Sequence, residues 1–436
     1  MLNTIKNHQN ILDKLSIEEL NPMQIKAQTA IESNPDIILL SPTGTGKTLA
    51  FLLPIIASLD ADCNEVQVLI LVPSRELAIQ IEQVIREMGC GYKTNAVYGG
   101  RAGSKDKIDL KHRPAILIGT PGRVADHFRR ESFALESIKT IVLDEFDKSL
   151  EVGFENEMKE ILLALPKIQK RILTSATQKL EIPGFVGMKK PVFINYLHEG
   201  VPMLKVKTIL SPSKDKLRTL VETLCYLGNQ PGIIFCNFKE TIERLSDFLT
   251  EKGIHHGCFY GGMEQVDRER ALIKFRNGTH QLIIATDLAA RGLDIPELKF
   301  IIHYQLPNRS QEFTHRNGRT ARMNNDGTAY VLKYIHEDLP DFITKIEVEE
   351  ITKAPVPTPS VWETVYISGG RRDKISKGDI AGLFIQKAHL IKEELGTIEI
   401  KQDCAYVAVY KSRVNKVIEL VNNSKLKTKK VRVSIV

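Results

Sequence analysis

Between Asp36 and about Leu332 the sequence keeps returning to a short aliphatic or β-branched run that stops at a turn and gives way to a longer helical stretch. The runs are IILL, VLILV, AILIG, TIVLD and RILTS, followed by GIIFC, QLIIAT and KFIIHY. Such near-continuous apolar runs suit strands buried on both faces. Strands separated by helices pair in parallel, because a parallel neighbour is reached only through a crossover. The chain is thereby confined to α/β architecture. Its 436 residues suffice for two such sheets and a smaller domain, at roughly 150 residues per domain. The first set of runs ends near Tyr196, and HEGVPMLKVK (His198 to Lys207) joins it to the second, which places domains at residues 1–197 and 206–350.

The Pro-punctuated stretch APVPTPS (Ala354 to Ser360) lies in a semi-rigid linker, residues 351–360, that sets off residues 361–436 as a third domain. In that domain WETVYIS suits a strand, Gly378 to Glu394 a helix, TIEIKQ and AYVAVYK strands, RVNKVIELVN a helix and KKVRVSIV a final strand. The order βαββαβ is that of a small α+β module, ferredoxin-like or RRM-like. Charge singles out the same segment. Residues 360–436 hold 15 Lys and Arg against 8 Asp and Glu, while the first 359 residues balance at 45 against 45. The whole formal excess of +7 therefore sits in the tail, the expected footprint for a polyanion.

With 42% hydrophobic and 26% charged residues, the chain is of ordinary globular composition, neither disordered nor fibrous. No apolar run approaches the ~18 residues that span a bilayer, and MLNTIKNHQN lacks the apolar stretch of a signal peptide. A cytoplasmic protein with no membrane partner is expected. The six cysteines lie far apart without a CxxC pair, which argues for reduced structural thiols. Without coiled-coil heptads, a monomer is expected.

The chemistry starts after IILL. Ser41-Pro42-Thr43-Gly44-Thr45-Gly46-Lys47-Thr48 opens the helix LAFLLPII, and a glycine-rich turn between strand and helix presents backbone N–H groups to phosphates. Lys47 suits the outer phosphates, and the Thr48 hydroxyl suits Mg²⁺. The strict pattern has Gly where this chain has Ser41. Further on, TIVL ends in Asp144-Glu145-Phe146-Asp147. A carboxylate at the end of a buried strand suits a metal held through its water shell, and an adjacent acid can orient the attacking water. Asp144 is assigned to the metal and Glu145 to the water.

Further motifs accompany these two. Asn21-Pro22-Met23-Gln24, Pro73-Ser74-Arg75-Glu76-Leu77-Ala78, Gly99-Gly100, Thr120-Pro121-Gly122-Arg123, Ser175-Ala176-Thr177, Ala285-Thr286-Asp287, Arg291-Gly292-Leu293-Asp294 and His315 through Arg322 occur in the order found in the DEAD-box RNA helicases. Over residues ~1 to 345 the chain resembles that family. The basic tail, with GGRRDKISKGDIAGLF, is similar to the C-terminal RNA-binding domain of the DbpA-type helicases, which target large-subunit ribosomal RNA.

The resemblance implies two tandem RecA-like parallel-sheet domains followed by the RRM-like domain. It also implies an RNA-stimulated ATPase that locally unwinds short duplexes in ribosome assembly. Gln24 would read the adenine edge, since an amide both donates and accepts; Thr43, Gly44, Thr45, Gly46 and Lys47 would hold the phosphates, and Asp294 the ribose. Arg319 and Arg322, one helical turn apart, resemble arginine fingers, which are typically worth ~10³ to 10⁵ in rate. Asp147, Ser175, Thr177 and His315 would couple the ATP and RNA states. Pro73, Arg75, Gly99, Gly100, Thr120, Gly122, Arg123, Arg268, Thr286 and Arg291 would grip the RNA backbone.

The departures have consequences too. Asn7 stands where the family has an adenine-stacking aromatic, and Phe146 replaces the usual alanine. Tyr406 alone stands at an RRM stacking position, so RNA is expected at basic edges: Arg371, Arg372, Lys374 and Lys377, and Lys425, Lys427, Lys429, Lys430 and Arg432. Two other functions fit part of the motif set: an ATP-gated RNA clamp or general RNA chaperone without ribosomal specificity, and a duplex-DNA translocase, against which Gln24 and the RRM-like tail count.

Overall fold

The computed structural model describes residues 8–42, 44–100, 103–165, 167–177, 181–197, 204–287, 298–320, 327–343 and 347–436. They form two compact units, one up to residue 197 and one from residue 204.

The first unit holds β1 (Asp36–Leu40), β2 (Val68–Leu71), β3 (Thr94–Val97), β4 (Ile116–Gly119), β5 (Thr140–Leu143), β6 (Lys170–Ser175) and β7 (Val192–Asn195) in one sheet, ordered β3-β4-β2-β5-β6-β1-β7. Every pairing in it is parallel. Alternate residues of each inner strand enter opposite cores: Ile37, Leu39, Val68 and Ile70 pack on one side, Ile38, Leu40, Leu69 and Leu71 on the other. Burial on both faces is why these strands read as unbroken apolar runs. Two strands were not legible in the sequence. β3 opens with the polar pair Thr94 and Asn95, and β7 is an edge strand with Phe193 62% exposed.

In the second unit β8 (Leu204–Ser211), β9 (Gly232–Phe235), β10 (Gly257–Phe259), β11 (Leu282–Ala285), β12 (Phe300–His303), β13 (Gly327–Tyr334) and β14 (Glu347–Val348) form a second parallel sheet, ordered β10-β11-β9-β12-β13-β8-β14. The same unit carries the tail: β15 (Trp362–Ile367), β16 (Leu395–Ile400), β17 (Ala405–Tyr410), the two-stranded hairpin β18 (Lys425–Leu426) and β19 (Lys429–Lys430), and β20 (Val433–Ile435). Its main sheet runs β16-β17-β15-β20 and is antiparallel.

Helices Lys377–Ala388 and Val414–Val421 cover one face of that sheet and bury Ile380, Phe384 and Val417 against Val365, Val407 and Val409. The βαββαβ order holds, with two corrections. The first helix stops at Ala388, because His389 adopts a left-handed conformation there, and a separate 3₁₀ turn takes Lys392–Glu394. KKVRVSIV is split, Lys429 and Lys430 belonging to the hairpin. Among the described residues no helix is long and apolar enough to cross a membrane.

Gly370 closes the turn after β15. A Cβ there would lie 2.5 to 2.6 Å from Gln402 O, Cys404 N and Lys401 O, all backbone. Gly370→Ala should therefore destabilise the third domain by about 1–3 kcal/mol, an overpacking penalty that backbone atoms cannot relieve. In calorimetry of the full chain, the transition of this domain should move down by several degrees.

Candidate active site and nucleic-acid interface

In a parallel sheet every strand points the same way, so the segments that follow the strands gather along one edge. The sheet order inserts β5 and β6 between β2 and β1. Residues after β1, β5 and β6 therefore sit side by side, and those after β3, β4 and β2 continue the same edge.

After β1 the loop Ser41–Gly46 leads into helix Lys47–Ser58. Gly44 and Gly46 take left-handed conformations, φ 84° and 86°, which only glycine adopts at no steric cost. A Cβ at Gly46 would also come 2.4 Å from Gln24 Nε2. The buried Lys47 ammonium donates to Ser41 O at 2.6 Å and Pro42 O at 2.8 Å. Ser41, the departure from the strict pattern, places its hydroxyl 2.6 Å from that of Thr45, which braces the loop from inside. Thr48 is half-buried in the first helical turn. Thr43 lies outside the described residues.

Gln24 sits in helix Pro22–Ser33, capped by Asn21. Asn21 Oδ1 accepts from Gln24 N and Gln24 Oε1 accepts from Asn21 N, both at 2.9 Å; Gln24 Nε2 then donates to Gly46 O at 3.3 Å and Asn21 Nδ2 to Thr45 O at 3.0 Å. The structure thus ties Gln24 to the phosphate loop. One amide N–H and one lone pair remain uncommitted, enough for a base edge. Asn7 lies outside the described residues.

Asp144 ends β5 and is 3% exposed. Burial pushes its carboxyl up from the ordinary carboxylate range, while the Thr174 hydroxyl, the Lys47 ammonium and the Glu145 N–H pull it back. The Thr174 hydroxyl donates to Asp144 Oδ1, and Glu145 N donates to both at 3.1 Å. Glu145 takes a left-handed backbone, φ 48°, a strain of order 1–3 kcal/mol that the surrounding bonds hold in place. Asp147 Oδ2 accepts from Thr177 Oγ1 at 3.2 Å, and Thr177 is bonded in turn to Ser175 Oγ. Phe146 is fully buried in the core under this turn. A buried carboxylate, a nearby ammonium and a glycine cradle form a donor set that fits a nucleotide phosphate with its cation.

On the neighbouring stretch of the edge, two of the motifs expected to grip RNA lie at helix starts. Ser74 caps helix Arg75–Met88 and Thr120 precedes helix Pro121–Arg129; their N-terminal N–H groups suit an anion. Pro73 is buried and Gly122 half-buried. The Arg75 guanidinium lies over Gly99 and Gly100, where a Cβ at Gly100 would be 2.5 Å from Nη1. Arg123 is held by the fully buried Asp106 at 2.7 Å, which also takes His127 Nε2 at 3.2 Å.

In the second unit the best-anchored cation is Arg316, to which the sequence assigned no role. It is 1% exposed, stacks over Phe235, forms a bidentate pair with Asp287, and donates to Asn237 Oδ1 and Gln305 O. It thereby ties together the carboxyl ends of β9, β11 and β12. The signal in the sequence was Asp287, an acid two residues past an apolar strand, which invites a cation. His315 is 9% and Arg319 6% exposed. Helix Ser310–Asn317 ends at Gly318, so Arg319 lies past it and the one-turn helical argument for Arg319 and Arg322 does not apply. Arg322, Arg291 and Asp294 lie outside the described residues. Thr286 follows β11 and donates its N–H to Phe259 O; Arg268 stacks on the Phe259 ring at 4.8 Å.

In the third domain three of the expected RNA cations are paired within the domain: Arg372 with Asp403, Lys427 with Asp379 and Lys429 with Asp373, each at 2.8 Å. Arg371 is half-buried, and Lys374, Lys377, Lys425, Lys430 and Arg432 are exposed.

Known proteins agree with this geometry. Residues 21–183 match the DEAD/DEAH box helicase family, residues 215–324 the helicase conserved C-terminal domain and residues 364–435 the DbpA RNA binding domain. The ATP-dependent RNA helicase DbpA of Escherichia coli (strain K12) is 30% identical over 97% of this chain and 96% of its own length. That of Bacillus subtilis (strain 168) is 29% identical over 97% and 96%. Among solved structures, S. cerevisiae Dbp5 bound to RNA and ADP BeF3 is similar with a TM-score of 0.67 at 25% identity, over 76% of this chain and 89% of that one. Mss116p bound to ssRNA and AMP-PNP gives 0.66 at 26%, over 76% and 73%. The chain belongs to the DEAD-box ATP-dependent RNA helicases, ATP-hydrolysing enzymes, and ends in a DbpA RNA-binding domain.

Two outcomes follow from the geometry. Phe146→Ala, which restores the family's usual residue, should cost about 3–5 kcal/mol of stability in the first unit, since the core has no other side chain to fill the space; chemical denaturation of the full chain measures it. His303, fully buried, stacked on Phe313 and bonded to Asn317 Oδ1 at 2.8 Å, is lowered to about 3 by burial and by Arg316. Its unfolded value is about 6.5, so the unfolded chain binds the proton first. Stability present above pH ~6.5 should fall as pH drops toward 3, by up to about 1.4 kcal/mol per pH unit. His303→Gln should flatten the slope of thermal midpoint against pH in that window.

Proposed function

We propose that this helicase is directed to large-subunit ribosomal RNA by its third domain and separates short duplexes there during ribosome assembly, as a cytoplasmic monomer. The proposed division is residues 1–197 for ATP binding, 206–350 for the second helicase domain and 361–436 for RNA targeting. The reading rests on one observation above all: the turn Asp144–Asp147 is hydrogen-bonded to the end of β6, Asp144 and Glu145 to Thr174 and Asp147 to Thr177, with the charge of Lys47 close enough to act on Asp144.

In this reading Thr48 and Asp144 hold Mg²⁺ through its water shell, and the ion neutralises phosphate charge. Glu145 orients the attacking water, and its fixed backbone aims it. Gln24 uses its remaining N–H and lone pair on adenine, and through its bond to Gly46 senses whether the loop is filled. Arg319 and Arg322 are the arginines that would supply charge to the transition state. Arg75, with the glycines beneath it, and the two helix starts hold RNA phosphates.

Energy limits the result. Shifting a two-state equilibrium from 1:99 to 99:1 takes about 5.5 kcal/mol, which at ~1.4 kcal/mol per stacked step disrupts about four steps. Local strand separation fits one ATP; long-range translocation does not.

Glu145→Gln should lower the ATPase kcat at least about a hundredfold, as loss of a positioned base does, with ATP binding retained. The targeting is tested by steady-state ATP hydrolysis without RNA, with a large-subunit ribosomal-RNA fragment and with an unrelated RNA of equal length. Stimulation by the ribosomal fragment alone, lost in a chain ending near Glu350, is the expected result. Equal stimulation by both RNAs refutes ribosomal targeting, and stimulation without strand displacement on a short duplex leaves an RNA clamp.

A further inference from the structure

The third domain has two sheet faces, and its own helices cover one. The other face carries the side chains that alternate with the core: Trp362, Thr364 and Tyr366 on β15, Tyr406, Ala408 and Tyr410 on β17, and Glu399 on β16. Register aligns Glu399, Tyr406 and Tyr366 in one row across the sheet. In an RRM this is the face on which bases stack, and it has to be open and cationic to do so. Here it is neither. Thr364 is 0%, Ala408 1%, Tyr406 6% and Glu399 8% exposed, although no element of the third domain lies over them.

What covers them is the end of helix Gln265–Arg276, from the second helicase domain. Arg276 grips Glu399 with both arms, Nε to Oε2 at 3.1 Å and Nη2 to Oε1 at 2.9 Å, and Lys401 reaches the same carboxylate at 2.7 Å. Asn277 Nδ2 donates to Thr364 Oγ1 at 3.4 Å, and Thr279 Oγ1 lies 2.7 Å from it. Ser360, at the end of the linker, donates to Gly278 O at 2.6 Å, and Trp362 lies against the bare Gly278. A bidentate ion pair, a buried threonine bonded from two sides and an aromatic over a glycine make a fitted surface.

We propose that the open face of the third-domain sheet is a docking surface for the second helicase domain of the same chain, and that this domain holds RNA instead at the basic edge where the hairpin Lys425–Lys430 meets helix Lys377–Ala388. At that edge Lys427–Asp379 and Lys429–Asp373 brace the hairpin against the helix start. Lys374, Lys377, Lys425 and Lys430 stand exposed and make no ion pair among the described residues. The sheet face offers a phosphate the Glu399 carboxylate; the edge offers a cluster of ammonium groups. The inference uses RNA binding by this domain and not any ribosomal target.

The test uses the full chain with a fluorescence donor on the second helicase domain and an acceptor on the third. Glu399→Arg and Arg276→Glu should each lower energy transfer, raising the undocked population at least about tenfold, as removal of one partner of a buried charge pair does. The double variant, with the charges exchanged, should restore transfer. Thr364→Val, which changes no charge, should lower it less. Purified bacterial ribosomal RNA at saturating concentration should leave transfer in the parent chain unchanged, while Lys374→Glu with Lys377→Glu should weaken binding of that RNA at least about fivefold with transfer intact. Unchanged transfer in Glu399→Arg, or loss of transfer on binding RNA, overturns the proposal.

Discussion

A carboxylate buried at the end of an apolar strand is the constraint from which the first unit is organised. Removing the Asp144 charge from water costs more than any one neighbour returns, so the fold must bring several donors to it. They come from different strands and their ends: Thr174 from β6, the Glu145 N–H from the turn itself and the Lys47 charge from the helix start that follows β1. Only a parallel sheet with β5, β6 and β1 adjacent can deliver all three to one point. The strand order is thus what makes the acid tolerable. The same neighbours that stabilise the charge are those that a phosphate and a cation would displace or join, so ligand state and strand-end packing are linked through one group.

The second unit solves the mirror problem with a cation. Arg316 is buried more deeply than any other cationic side chain among the described residues, and it is satisfied by a carboxylate, an amide oxygen, a backbone carbonyl and an aromatic face. Its partners stand at the ends of β9, β11 and β12. Losing one would leave a guanidinium unpaired in the interior, which costs far more than the pair contributes. The neutral His303 beneath it follows from the same charge, since burial and an adjacent guanidinium both oppose a second cation.

The sequence disclosed what repeats and what is exposed to chemistry. Apolar runs buried on both sides, a glycine turn between strand and helix and an acid pair after TIVL are periodic or punctuated signals, and each landed on the carboxyl edge. Edge strands such as β7 and β14 were illegible because half-exposed residues carry no pattern. The polar start of β3 concealed it for the opposite reason, since its Thr94 and Asn95 are buried. Arg316 was passed over because nothing local distinguishes a buried arginine from a solvated one; its partners are distant in sequence. The helical spacing assumed for Arg319 failed at Gly318, which ends the helix first. In the tail, net charge located the basic domain, but three of its cations are spent on neighbouring aspartates, a pairing that only folding creates.

One helix joins several of these results. Gln265–Arg276 has 12 residues, about 18 Å at 1.5 Å each. Near its start Arg268 lies on the Phe259 ring at the end of β10, among the residues the helicase motifs assign to RNA phosphates. At its end Arg276 holds Glu399 of the third domain. Leu272, Ile273 and Phe275 are buried between the two, so the C-terminal half of the helix is packed, and the helix has no hinge at Gly or Pro. Such a strut fixes the distance between Arg268, which the proposed function places on RNA, and the third domain. A flexible tether would only raise the local concentration of its target; a strut also decides which part of a bound structured RNA the helicase core can reach.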